Sequence, residues 1–156
     1  MPLKDYQQKI LDLLKDKELA LSELYKEISE KFYQNEEFWS NLSEEKLYRL
    51  QQIEELCDQV KQEKMGFDEK KTKTYTLYTF MESIQDIKDQ LRNNELNEIK
   101  ALSLCHDLEN SILERRVYEY FIPYNDKQKA VLDKLKIDIN DYLKNIQAQK
   151  NKIVSG

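Results

Sequence analysis

The stretch FWSNLSEEKLYRLQQIEEL, residues 38–56, contains no glycine or proline and reads as successive turns of an amphipathic helix. Leu42 and Glu45 lie one turn apart, and Tyr48 follows one turn later. A carboxylate thus flanks the apolar stripe, on a side of the helix expected to pack.

The same periodicity extends to both sides. Residues 4–32 carry Leu11, Leu14, Leu21, Tyr25, Ile28 and Phe32, and with Glu18 included the spacing alternates 3 and 4. Asn35 is a good N-cap for a helix over 36–63, and Glu36 and Glu37 suit its positive end. A charged loop around Lys64–Lys71 follows. Thr74 could cap a helix over 75–92, Asn93 or Asn94 one over 95–121, and Asn125 or Asp126 one over 126–150. Gly66 and Pro123 are the internal breakers, and no segment alternates with period 2. The pattern predicts an all-α single domain over residues 1–156: four long helices and an extra helix in the crossover between the second and third. If those two run parallel, their connection must cross the bundle's length, and residues 75–92 fill that gap. Three-helix or five-helix packing satisfies the same pattern.

Composition narrows the function. The chain has 156 residues, 35% of them charged, a net charge of −5 and a pI of about 5.1. That suits narrow apolar stripes with solvated outer faces, and it lacks the basic footprint of a nucleic-acid binder. No apolar run reaches the length of a membrane span, and the polar start MPLKDYQQ argues against a secretory signal, so a cytoplasmic protein is expected. Cys57 and Cys105 form no CxxC pair and read as buried thiols. With His106 as the single histidine, sites built on several imidazoles are excluded.

Each long helix carries one acid on or beside its stripe: Glu18, Glu45, Glu109 and Asp138. Buried carboxylates need a cation or a proton, because desolvating each charge costs several kcal/mol. Four acids converging at one level of a bundle are the basis of di-metal carboxylate sites. Singly, each reads equally well as a boundary residue, since chance alone places some of 30 acids at a stripe edge. His106, one turn before Glu109, is a weaker ligand candidate. Tyr25, Tyr48, Tyr118 and Tyr142 fall on or near stripes and read as packing with a polar handle.

ELALSELYKEISEKF (18–32) and EEFWSNLSEEKLYRLQQIEEL (36–56) resemble the first two helices of the rubrerythrin-like branch of the ferritin-like superfamily. The marks are a Glu seven residues before a Tyr, then Phe-Trp-x-x-Leu-x-Glu-Glu. ALSLCHDLENSILERRVYEYF (101–121) resembles the third helix and LDKLKIDINDYLKNI (132–146) the fourth. The resemblance implies a ferritin-like four-helix bundle holding two irons through two Glu-x-x-His motifs and two further Glu, acting on peroxide, dioxygen or iron. It places carboxylate ligands at Glu18, Glu45, Glu109 and Asp138, but the two histidine positions fall on Tyr48 and Asp141. A phenol is a poor ligand unless a ferric ion deprotonates it, and a further aspartate adds negative charge. If metal is retained, iron or manganese is implied. The hard, carboxylate-rich donor set itself suits Mn²⁺, Ca²⁺ or Mg²⁺.

The first functional expectation is a ferritin-like protein with a degenerate di-iron site, non-catalytic or altered in metal use. The second is an active carboxylate-rich di-metal protein, and the third a helical interaction module. A homodimer fits the resemblance.

Overall fold

Long runs free of glycine and proline become helices in the computed structural model, which describes residues 3–71 and 73–156. Met1 and Pro2, part of the polar start of the chain, lie outside the described residues. The α-helices are α1 (Asp5–Lys31), α2 (Glu36–Lys61), α3 (Thr74–Arg92), α4 (Glu98–Glu114) and α5 (Asp126–Ser155). The protein is all-α apart from an antiparallel pair of two-residue strands, β1 (Gly66–Phe67) and β2 (Phe121–Ile122). Among the described residues, no helix is long and apolar enough to cross a membrane.

Helix ends in so glycine-poor a chain need another device. Glu63, Asn94 and Arg116 take left-handed conformations with φ of 60°, 58° and 52°, just after α2, α3 and α4. Lys64 N–H then reaches back to the Gln59 carbonyl, and Glu95 N–H to that of Gln90, at 2.8 and 2.9 Å. This is the Schellman closure, which glycine usually provides.

The Arg116 stop corrects the helix expected over 95–121. It ends at Glu114, and a 3-10 turn at Val117–Tyr120 leads into β2. Three caps also differ. Thr74 is the first residue of α3 rather than its cap, and Lys73 takes the N-cap place without a side-chain bond. Asn97, not Asn93 or Asn94, caps α4 by accepting from Lys100 N–H, and the Asn35 amide donates to Glu98 at 2.7 Å instead of capping α2. Asn125 caps α5 as expected, accepting from Gln128 N–H.

The β1–β2 pairing explains Gly66. A Cβ there would lie 2.7 Å from Ile122 Cβ, closer than two carbons can approach, so the bridge requires glycine.

Cross-helix contacts fix the directions. Ser22 meets Ser43, and the Cys57 thiol faces the Leu11 carbonyl, so α1 and α2 are antiparallel. Lys88 pairs with Glu23 and Arg92 with Glu27, so α3 runs parallel to α1. Trp39 bonds Glu98, and Lys46 bonds Glu109, so α2 and α4 run in the same sense. Thus α3 carries the chain back along α1 over the bundle's length. Neighbour relations close into a ring: α1 against α2 and α3, α4 against α3 and α5, and α5 against α2.

The apolar stripes fill the interior. Leu11, Leu14, Leu21, Tyr25 and Ile28 of α1 are fully buried, and Trp39 packs between the Tyr25 and Phe38 rings. Both cysteines are free and buried. Burial pushes the Cys57 thiol up to about 12, so it stays protonated and packs as an apolar group.

Candidate functional site

The centre of the bundle is charged. Lys17, Glu18, Lys46, Arg49 and Glu109 are all buried, at most 1% exposed. On α2 the buried line is Trp39, Leu42, Lys46, Arg49, Ile53, Leu56 and Val60, with spacing 3, 4, 3, 4, 3, 4. Two cations thus occupy inward positions of an otherwise apolar heptad stripe.

This register corrects the reading of α2. Glu45 and Tyr48 are each one residue, about 100° of rotation, away from the inward line. Glu45 is exposed at the rim, where its carboxylate faces the Tyr142 hydroxyl, and Tyr48 is 57% exposed. Glu18 and Glu109 point into the core as expected. Asp138 sits at the edge with its side chain 21% exposed, bonded to Lys134 at 2.9 Å. Asp141 is exposed, and His106 is half-buried on α4. The four acids therefore do not converge. Among the described residues, no group of three or more His, Cys, Asp or Glu is arranged to hold a metal ion.

Glu109, on α4, receives a proton donor at each oxygen. Lys46 Nζ stands 2.7 Å from Oε1 and donates to Oε2 at 2.9 Å, while the Tyr25 hydroxyl donates to Oε1 at 2.6 Å. The same ammonium lies 4.4 Å from the centre of the Tyr142 ring, a cation–π contact strengthened by burial. Glu18, on α1, is held by Lys17 Nζ at 2.6 Å and the Tyr118 hydroxyl at 3.2 Å, and its Oε2 faces Arg49 Nε at 3.7 Å. The Arg49 guanidinium donates to the Leu135 carbonyl at 3.1 Å and to the Tyr118 hydroxyl, and lies 3.8 Å from Asp138. One planar cation thereby ties α2 to α1, to α5 and to the 3-10 turn after α4.

Three buried cations face two buried carboxylates, and the edge carboxylate of Asp138 makes three against three. Burial is the largest influence on the Glu18 carboxyl and would raise it, but Lys17, Lys46 and Arg49 together lower it to about 2. Burial lowers the Lys46 ammonium, with Glu109 and Glu18 partly opposing. Burial likewise pushes the Tyr25 and Tyr118 phenols well up, so both remain neutral donors.

The residues present do not fit a pair of metal ions. Ammonium and guanidinium groups have no lone pair to offer, and their charges repel an incoming divalent cation at the carboxylates they already neutralise. Chemically the cluster can hold five chain segments in one geometry.

Lys17, Lys46 and Arg49 are the site residues that the acids alone did not reveal. Their signal was present: from Trp39 and Leu42 to Ile53, Leu56 and Val60, the heptad spacing passes through Lys46 and Arg49. Comparison with known proteins gives no match to a family model, a curated protein or a solved structure.

Proposed function

We propose that this is a non-catalytic bundle of ferritin-like descent, in which a buried ion-pair cluster stands where a di-metal centre would lie, and which serves as a binding or structural protein. The observation that carries the reading is the Lys46-x-x-Arg49 pair on the buried face of α2. Its members stand one residue after Glu45 and Tyr48, the positions to which the resemblance assigns ligands, and take the inward places in their stead. The helix directions support the descent: α2 and α4 run parallel, with the chain crossing the bundle between them. The rotation of Glu45 out of the core departs from the ligand positions of the resemblance and favours metal-independence over an altered metal site.

Elemental analysis of protein purified without chelators tests this, followed by anaerobic Fe²⁺ addition and exposure to air. The expected result is sub-stoichiometric metal, no oxo-bridge absorption, and a melting temperature unmoved by Fe²⁺, Mn²⁺ or Zn²⁺. Near-stoichiometric iron with an oxo-bridge band would overturn it.

A further inference from the structure

Between α3 and α4 runs an open groove of about 420 Å³. None of its lining residues belongs to the charge cluster. Its floor is apolar, with Phe80 and Ile87 from α3 and Leu104 and Leu108 from α4. Along α3 it extends from Tyr75 to Gln90, a rise of about 22 Å, or roughly four helical turns.

Charge is sorted around α3. Its cations Lys88 and Arg92 turn away from the groove and pair with Glu23 and Glu27 of α1, at 3.7 and 2.7 Å. On the groove side, the exposed carboxylates of Asp86 and Asp107 stand on opposite walls. Counted from the α3–α4 turn, their heights differ by about one helical turn. The hydroxyls of Ser83 and Ser111 donate to the Thr79 and Leu108 carbonyls of their own helices, which leaves their oxygens as acceptors. Arg115 lines the far end beside Val117. The middle of the groove therefore offers an apolar floor between anionic, acceptor-rich walls.

We propose that this groove docks an amphipathic helix of a protein partner, with an apolar stripe between α3 and α4 and flanking lysines or arginines that meet Asp86 and Asp107. The volume suits the apolar anchors of one helical stripe, and the walls select donors and positive charge. The proposal names the kind of partner a binding bundle would take, but it does not depend on whether the core holds metal.

The test uses the full chain and two fluorescent sixteen-residue helical peptides. Both carry leucines at i, i+3, i+4 and i+7; one is flanked by Lys and Arg, the other by Glu. Anisotropy titrations at low and physiological salt should show saturable, salt-weakened binding of the basic peptide only. Asp86→Lys with Asp107→Lys should weaken it about tenfold or more. Glu54→Lys with Glu55→Lys, an equal charge change on the exposed face of α2, should change it less than about twofold. Leu104→Glu should also abolish binding, with circular-dichroism melts showing that each variant folds. Equal losses from both charge pairs would mean nonspecific attraction to an acidic protein and would overturn the proposal. So would equal binding of the two peptides, or no binding of either. Self-association abolished by the Asp86 and Asp107 changes would overturn it in favour of a second copy of this chain.

Discussion

Replacing Lys46 by Met removes the ammonium while keeping most of the apolar stem. In the native protein that ammonium lies 2.7 and 2.9 Å from the two Glu109 oxygens, with both side chains 0% exposed. Deleting one partner of such a pair leaves a buried charge uncompensated, which costs about 3–5 kcal/mol. The remaining Tyr25 bond, 2.6 Å long, recovers only about 1 kcal/mol of that. For a chain of this size each kcal/mol moves the melting temperature by roughly 2–4 °C, so a fall of about 10 °C is expected. Urea unfolding followed by helical circular dichroism and by Trp39 fluorescence measures it, because Trp39 is the only tryptophan and is fully buried. Adding Glu109→Gln removes the stranded charge while its amide oxygen still accepts from Tyr25. The double variant should then be more stable than Lys46→Met alone, with a coupling of at least about 2 kcal/mol. A deficit below about 1 kcal/mol, or strictly additive costs, would refute the reasoning.

Three further outcomes follow. Glu18 has its carboxyl lowered from 4.5 to about 2, so its stabilisation is present above the unfolded value and is lost as pH falls through that window. That loss, on the order of 3 kcal/mol, should appear in acid unfolding and be absent from Glu18→Gln. Tyr48→His restores the histidine of a Glu-x-x-His motif on an exposed face, so it should change stability by less than about 0.5 kcal/mol and add no Zn²⁺- or Mn²⁺-dependent shift in melting temperature. Gly66→Ala should cost about 1–3 kcal/mol in urea unfolding, and Ile122→Ala should not rescue it because the clashing Ile122 Cβ remains.

The helices were legible because few residues interrupt them and their apolar spacing is regular. The stripe of α1, Glu18 included, is buried as its 3, 4 spacing requires. The end of α4 was not legible, because the stop is Arg116 in a left-handed conformation and no residue type announces it. The β1–β2 bridge was hidden for a similar reason: two residues on each side are too few to show alternation. At the site, Glu18 and Glu109 were readable as inward acids. Lys46 and Arg49 were not, because long cationic side chains usually reach solvent, and only their partners from α1 and α4 make their burial affordable. Glu45 drew the register one residue away from the line that Trp39, Leu42, Ile53 and Leu56 define. A single-residue shift on a helix was enough to exchange a ligand set for a pair of cations.

The lysine ammonium groups themselves give the most direct test. Proton–nitrogen correlation spectra of lysine-labelled protein, recorded near neutral pH, should show slowly exchanging ammonium signals for Lys17 and Lys46. Substituting each lysine assigns its signal, and neither should respond to chelator or to added Fe²⁺. Loss of either signal to fast solvent exchange, or its displacement by stoichiometric metal, would contradict the account of a core neutralised by its own cations.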